Sequence, residues 1–372
     1  MKRPVTHCLL AVRLAFLACN LSSCFASQQP GVGELHPLIP QFTVVQGPVQ
    51  LSPYNRNRTD EDPTLIRSHD GRYVLCWFSN RNGNDNLYIR NSADGLSWSP
   101  PIQVTATKNR DFYPSLFQDA QGRFHLAWFR VSKSPPFLRH IWYTHSDDGI
   151  HWDPRSEVQV TQGFGSDWAP SIWRDSHGKL LIYFASKRSG DASREIYVTQ
   201  SMDGIHWSNP LKPAGINDPK EFDDYPYVVQ QQDGQFLMAW TRYPKSLMAF
   251  NGKMDILLST SADGLNWQSP VPVTNDDAQG ITDVLPFLYA QHSGDWAVGW
   301  VSTRTNPHGD VLSVPVSQIA AVDSHASLLI HGHGGYSPRA VATDTPGVYL
   351  IVWITVADKA RVLVSQWVRA NH

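Results

Sequence analysis

Ser92-Ala93-Asp94-Gly95-Leu96-Ser97-Trp98 returns three more times along this 372-residue chain, as Ser146-Asp147-Asp148-Gly149-Ile150-His151-Trp152, Ser201-Met202-Asp203-Gly204-Ile205-His206-Trp207 and Ser261-Ala262-Asp263-Gly264-Leu265-Asn266-Trp267. The aspartates are 54, 55 and 60 residues apart. A period of this size marks a stack or ring of supersecondary units, so the fold is read from the repeat. Asp before Gly predicts a tight turn whose carboxylate accepts backbone amides while Gly takes a positive φ. Trp then plugs the space between sheets. On this reading Asp94, Asp148, Asp203 and Asp263 are structural, and function is sought where the units differ.

Each unit extends beyond this turn. It opens on Asp, two residues and Pro: Asp60 to Pro63, Asp111 to Pro114, Asp167 to Pro170, Asp223 to Pro226 and Asp283 to Pro286, with Tyr336-Ser337-Pro338 in a degenerate sixth copy. An apolar strand follows, then a Gly turn (Gly71, Gly122, Gly178, Gly234) and a second strand ending in an aromatic residue. A polar loop leads to a third strand that runs into the Asp turn, and a short fourth strand such as Val158 to Thr161 closes the unit. Short alternating strands with regular turns predict an antiparallel meander. Four strands repeated six times predict an all-β fold, a six-bladed β-propeller of four-stranded antiparallel blades. The degenerate sixth unit leaves a count of five or seven open.

The last unit stops after its third strand, Ala360 to Trp367, and Gly47 to Ser52 resembles the missing fourth. The N-terminal segment is therefore expected to close the ring and leave no exposed sheet edge. The expected division is a signal peptide at 1–26, a linker at 27–44 and the propeller at 45–372.

A net charge of -2 with no basic run removes the electrostatic footprint of a nucleic-acid partner. Fourteen tryptophans beside only 17% charged residues suit blades that pack face to face, although Trp also makes sugar-stacking platforms. Met1-Lys2-Arg3, the apolar Leu14 to Ala18 and the small residue in Cys24-Phe25-Ala26 have the order of an export signal. Leu21-Ser22-Ser23-Cys24 also fits a bacterial lipoprotein box, which would place a lipid on Cys24. An exported protein, periplasmic or secreted, is expected. Cys76 alone remains in the body, so no disulfide is expected to hold the mature protein. No later run reaches the length of a membrane span. A monomer without cofactor or metal is expected.

Chain direction sorts the loops. If the first strands start at the upper face, the Asp turns lie below, and the Asp-x-x-Pro aspartates share the upper face with the ends of the second strands. Those ends carry Arg81, Arg130, Arg188, Arg242 and Arg304. A funnel of carboxylates and guanidiniums is the candidate site, since rigid scaffolds carry function on their loops. The competing structural reading pairs each Asp with the Arg of its own blade. Differences between blades favour the funnel: Asp85 follows Arg81 only in the first unit, Tyr336 appears only in the last, and Glu221 stands beside Asp223 and Asp224 only in the fourth.

The turn phrase resembles the Asp-box of sialidases and related propellers, Ser-x-Asp-x-Gly-x-x-Trp, one residue shorter in every copy. Sialidases end the second strand of the first blade in Arg with an acid/base Asp just beyond, and Arg81 and Asp85 sit that way. A family Glu, a Gly turn and an Arg are matched by Glu221 or Asp223, Gly234 and Arg242; a later Arg before a Tyr-Ser pair is matched by Arg304 and Tyr336-Ser337. The resemblance implies a glycoside hydrolase of sialidase-like type. Arg81, Arg188, Arg242 and Arg304 would bind substrate, an arginine cluster clamping a carboxylate bidentately. Tyr336, activated by a carboxylate (Glu221 or Asp223), would attack the sugar, with Asp85 as acid and base.

One departure stands out. Sialidases open the first blade with Arg-Ile-Pro, and this chain has Glu61-Asp62-Pro63, a carboxylate that would repel an anionic sugar. Arg56 and Arg58 lie just upstream, in a stretch that reads as a solvated loop. Asp-Pro openings also resemble the five-bladed arabinanase-type glycosidases, whose paired carboxylates act on neutral sugars. The alternatives are a non-catalytic carbohydrate- or partner-binding propeller and a propeller-type polysaccharide lyase built on Tyr, His and Arg. His331 and His333 could bind a metal, but no third ligand is fixed nearby in sequence, so a plain loop is the reading.

Overall fold

The second strand of each unit reads as a mainly apolar run: Tyr73–Ser79, Phe124–Val131, Leu180–Ser186, Phe236–Pro244, Trp296–Ser302 and Val348–Ala357. A run of this kind suits a strand covered on both faces, and the first three are buried along their whole length. In the computed structural model these strands lie inside six antiparallel sheets arranged as the blades of a propeller. The structure describes residues 42–370 apart from 54, 56–57, 191–192, 246–253, 276–280, 322–325, 332–335 and 358–359. The segment 1–26, with Cys24, lies outside the described residues, as do Arg56 and His333.

Blades 1 to 5 start with the first strands Asp60–Arg67, Arg110–Gln118, Asp167–Arg174, Glu221–Gln230 and Asp283–Ala290, and blade 6 with Tyr336–Ala342. Fourth strands are short, as in Ile102–Gln103 and Val158–Gln159. In blade 3 the fourth strand shrinks to a single bridge, Val198 with Leu211. Pro210 and Pro213 flank Leu211, and a residue without an N–H cannot extend the ladder.

The ring closes as expected. Phe42–Gln50 runs antiparallel to Ala360–Ala370, from Phe42 opposite Ala370 to Gln50 opposite Val364. Leu51 N–H extends this closure to the Leu363 carbonyl at 2.7 Å. Removing residues 1–52 would leave the last strand unpaired, and the truncated protein is expected to aggregate. A soluble truncation with an unchanged cooperative melt would contradict the closure.

The four Asp turns share one geometry. Asp94 Oδ1 accepts the amides of Leu96 and Ser97 at 2.8 and 2.7 Å, and Asp148, Asp203 and Asp263 repeat the pattern. The Ser97 and then the Leu96 amide pull the Asp94 carboxyl down to about 2. Gly264 is required twice over: its φ is +74°, and a Cβ there would lie 2.5 Å from the Tyr183 hydroxyl of the preceding blade. These turns therefore fasten neighbouring blades together.

One buried network makes stability depend on pH. His125 sits between Asp119 (3.0 Å) and the Tyr143 hydroxyl (2.8 Å), and Arg174 from blade 3 also reaches Asp119. Burial drives the imidazole down to about 4 from 6.5, although Asp119 opposes the shift and Arg174 and His145 reinforce it. A depressed folded value means that the stabilisation is complete above pH 6.5 and is lost as pH falls through 4. Urea unfolding is expected to lose about 2–3 kcal/mol over that window, and His125→Gln should flatten this part of the profile.

Candidate functional site

The recurrent aspartates and arginines do not line an open funnel. Asp60, Asp111, Asp167, Asp223 and Asp283 are fully buried. Arg81, Arg130, Arg188 and Arg242 each donate to the Asp of their own blade, at 3.0, 2.6, 3.1 and 2.7 Å. Trp77, Trp128, Trp240 and Trp300 give their indole N–H to Asp60, Asp111, Asp223 and Asp283 at 2.8, 3.0, 2.7 and 3.0 Å. Blade 3 has no Trp at this place, and the Ser186 hydroxyl takes over at 2.6 Å from Asp167. Each of these guanidiniums is thus already paired with a carboxylate of its own blade.

What faces the axis is the residue before each proline. Asp62, Tyr113, Ala169, Tyr225, Leu285 and Ser337 all have positive φ, between 47° and 56°. Each sits where the pairing of the first strand with the second slips register. A bulge of this kind re-aims a side chain, and bulky residues adopt this backbone only when their surroundings impose it. Tyr113, Ala169, Tyr225 and Leu285 converge on an axial cavity of about 30 Å³, with Arg339 and Thr64 on its wall. That is room for about one water.

Blade 1 places a carboxylate in this ring. Asp62 accepts the Ser337 hydroxyl at 3.1 Å. Tyr113 and Tyr225 have ring centroids 5.7 Å apart. Burial first, and the charge of Asp62 next, hold the Tyr113 hydroxyl well above its usual range. Burial does the same for Tyr225, followed by Asp224. Both phenols therefore stay protonated and can donate hydrogen bonds.

Two further carboxylates bracket the ring. Glu61 pairs with Arg361, and Asp224 pairs with Arg194 at 3.5 Å. They occupy the same position of blades 1 and 4, three blades apart in a ring of six. Each arginine comes from the start of the third strand of the preceding blade and is 23% exposed. The other blades carry Phe112, Trp168, Val284 and Tyr336 there. Asp224 also accepts the Tyr225 amide at 2.9 Å, Trp168 Nε1 at 2.8 Å and the Tyr243 hydroxyl at 3.1 Å. It thus holds Tyr225 in its left-handed backbone. Burial raises the Asp224 carboxyl although Arg194 opposes the shift.

The residues singled out from the sequence are dispersed. Asp85 is buried and engaged by Arg110 Nε at 2.6 Å. Tyr336 packs, partly buried, against the apolar cluster shared by blades 6 and 1. Glu221 lies half-buried at the upper end of the first strand of blade 4, and Asp223 is sealed against Arg242. Arg304 follows the second strand of blade 5, its amide on Ser302 Oγ at 3.2 Å. His331 meets Asp310 at 3.0 Å, and among the described residues no three His, Cys, Asp or Glu gather as a metal site. No described helix is long and apolar enough to cross a membrane. Sequence reasoning passed over Tyr113, Tyr225, Arg194 and Arg361, and it noted Asp62 and Asp224 without giving either a place in the site. The available signal was the residue before each proline, which changes from blade to blade inside a constant frame.

Solved structures share this architecture. A protein of unknown function from Dyadobacter fermentans DSM 18053 superposes with a TM-score of 0.69 at 14% identity, covering 89% of this chain and 100% of that one. The α-L-arabinanase of Penicillium chrysogenum, complexed with arabinobiose, gives 0.67 at 16% identity, covering 88% and 98%. An α-L-arabinofuranosidase of Fusarium graminearum with arabinobiose gives 0.66 at 14% identity, covering 88% and 98%. At such identities the likeness is one of fold. No curated protein matches the chain. Residues 63–282 match the model of the BNR repeat-like domain. With the four recurring Asp turns and the six-bladed ring, this match shows that the chain belongs to the BNR repeat-like domain family.

Proposed function

We propose that this protein is a glycoside hydrolase that cleaves a neutral glycan at the axial mouth, with Asp62 as the carboxylate facing the reacting carbon. The observation that carries this reading is the ring of left-handed bulges, which aims one residue per blade at the axis and makes the one from blade 1 an aspartate. Glycosidases commonly place two carboxyl groups across the scissile bond. Asp62, held by the Ser337 hydroxyl, is the nucleophile or base in this reading. Glu221, on the opposite blade and at the rim, is the proton donor in this reading. Tyr113, Tyr225 and the outer edges of Arg194 and Arg361 supply donors for sugar hydroxyls.

A neutral sugar is favoured over a sialic acid because Arg81, Arg188 and Arg242 are committed to Asp60, Asp167 and Asp223. The arabinan-acting relatives support the same substrate class. We further propose that residues 1–26 direct export, with Cys24 as an alternative lipid site, and that the chain acts as a monomer. The test is a screen of the purified protein on aryl glycosides and polysaccharides, beginning with aryl α-L-arabinofuranosides and arabinan. Release of a neutral sugar is expected, and failure to act on any member would overturn the proposal.

A further inference from the structure

We propose that the mouth continues outward over blades 2 and 3 as an aromatic track for the further units of a glycan chain, with Phe164 as its outermost platform. This rests on the glycosidase reading above. From the axis, Tyr225 contacts Tyr113, and Tyr113 lies stacked on Phe129 at 6.2 Å and 27°. Phe137 follows at the end of the loop between the second and third strands of blade 2, partly buried on the same core and with a φ of +56°.

Phe164 rises from the connection that leaves blade 2 and enters blade 3, and it is 92% exposed, more than any other large apolar residue among those described. Its loop is pinned at both ends by the upper loop of blade 3. Arg188 donates to the Gln162 carbonyl at 3.1 Å, and the Lys187 amide to the Ser166 carbonyl at 3.1 Å. Arg188 is itself fixed on Asp167. Gly165 packs so closely that a Cβ would stand 2.8 Å from Arg188 Cγ, while Gly163, with a φ of +90°, has open space around it. The glycines let the backbone arch, and the two anchors hold the phenyl ring out in water.

A tethered, solvated ring on the loops of the same two blades is suited to the apolar face of a sugar, where ring area is buried at little conformational cost. The substrate class that follows is an oligosaccharide or polysaccharide bound over several units, in place of a glycoside recognised through its terminal sugar alone.

Affinity electrophoresis in gels containing arabinan, xylan, galactan or mixed-linkage β-glucan, together with aryl α-L-arabinofuranoside kinetics, tests this. Retardation of the unmodified protein by at least one polysaccharide is expected. Phe164→Ala should weaken that affinity by about tenfold, the equivalent of burying part of one ring. Phe164→Trp should restore it, and aryl glycoside kcat/KM and the melting temperature should stay unchanged in both. Equal retardation of Phe164→Ala and the unmodified protein overturns the track. So does turnover of aryl glycosides by a protein that no polysaccharide retards, which leaves the hydrolase reading standing. A protein that neither hydrolyses nor binds any of these probes removes the hydrolase reading, and the track with it.

Discussion

Asp62→Asn is expected to lower turnover by at least about 10²-fold, because positioned proton transfer or nucleophilic attack by a carboxylate contributes roughly 10²–10⁴-fold. Asn keeps the shape of the side chain and can still meet the Ser337 hydroxyl, so thermal melting should move little and glycan binding should persist. Asp85→Asn should leave turnover nearly intact, since the Asp85 carboxylate is buried and already committed to Arg110. The decisive measurement is kcat on the best substrate from the glycoside screen, with circular dichroism confirming the fold of both variants. The reverse outcome, with Asp85→Asn inactive and Asp62→Asn active, would return the chemistry to the sialidase-like arrangement built on Asp85 and Tyr336.

The largest effect on stability is expected at the opposite kind of aspartate. Asp111 is fully buried and binds Arg130 through two hydrogen bonds, at 2.6 and 3.1 Å, and Trp128 through a third at 3.0 Å. Arg130 also reaches Glu157 at 2.8 Å and is almost wholly buried. Asp111→Ala strands a guanidinium and an indole N–H in the interior. Breaking one side of such a pair costs about 3–5 kcal/mol, which chemical denaturation would register as a fall in midpoint at unchanged slope. Glu157 limits the loss by retaining part of the arginine's charge. A change below about 1 kcal/mol, the usual worth of an exposed ion pair, would mean that these recurrent pairs are not what seals the blades.

These two aspartates belong to the same short phrase, and only the backbone separates their roles. In Asp60-Glu61-Asp62-Pro63 the first residue turns into its own blade to meet Trp77 and Arg81, the second turns to Arg361 of blade 6, and the third, at a φ of +50°, faces the axis. Nothing in the composition distinguishes them. An alternating strand would place the first and third residues on one side, and the bulge breaks that alternation.

The sequence by itself determined the architecture. The Asp turns at steps of 54 to 60 residues, the Asp-x-x-Pro openings and the strand-like N-terminal segment carry the propeller and its closure, because each is a local pattern of turn chemistry and alternation, and only the degenerate sixth unit left the blade count open. Only the tertiary structure decided which charges are spent inside the scaffold and which face the axis. Arg81, Arg188 and Arg242 look like a clamp in the sequence, yet each is bound to an aspartate about twenty residues earlier in its own blade. Glu61 and Arg361 are three hundred residues apart and meet only because the ring closes. Pairing energies in a closed ring depend on which strands lie side by side and on which way a bulged residue points. Those quantities arise from long-range packing, and no window of sequence contains them.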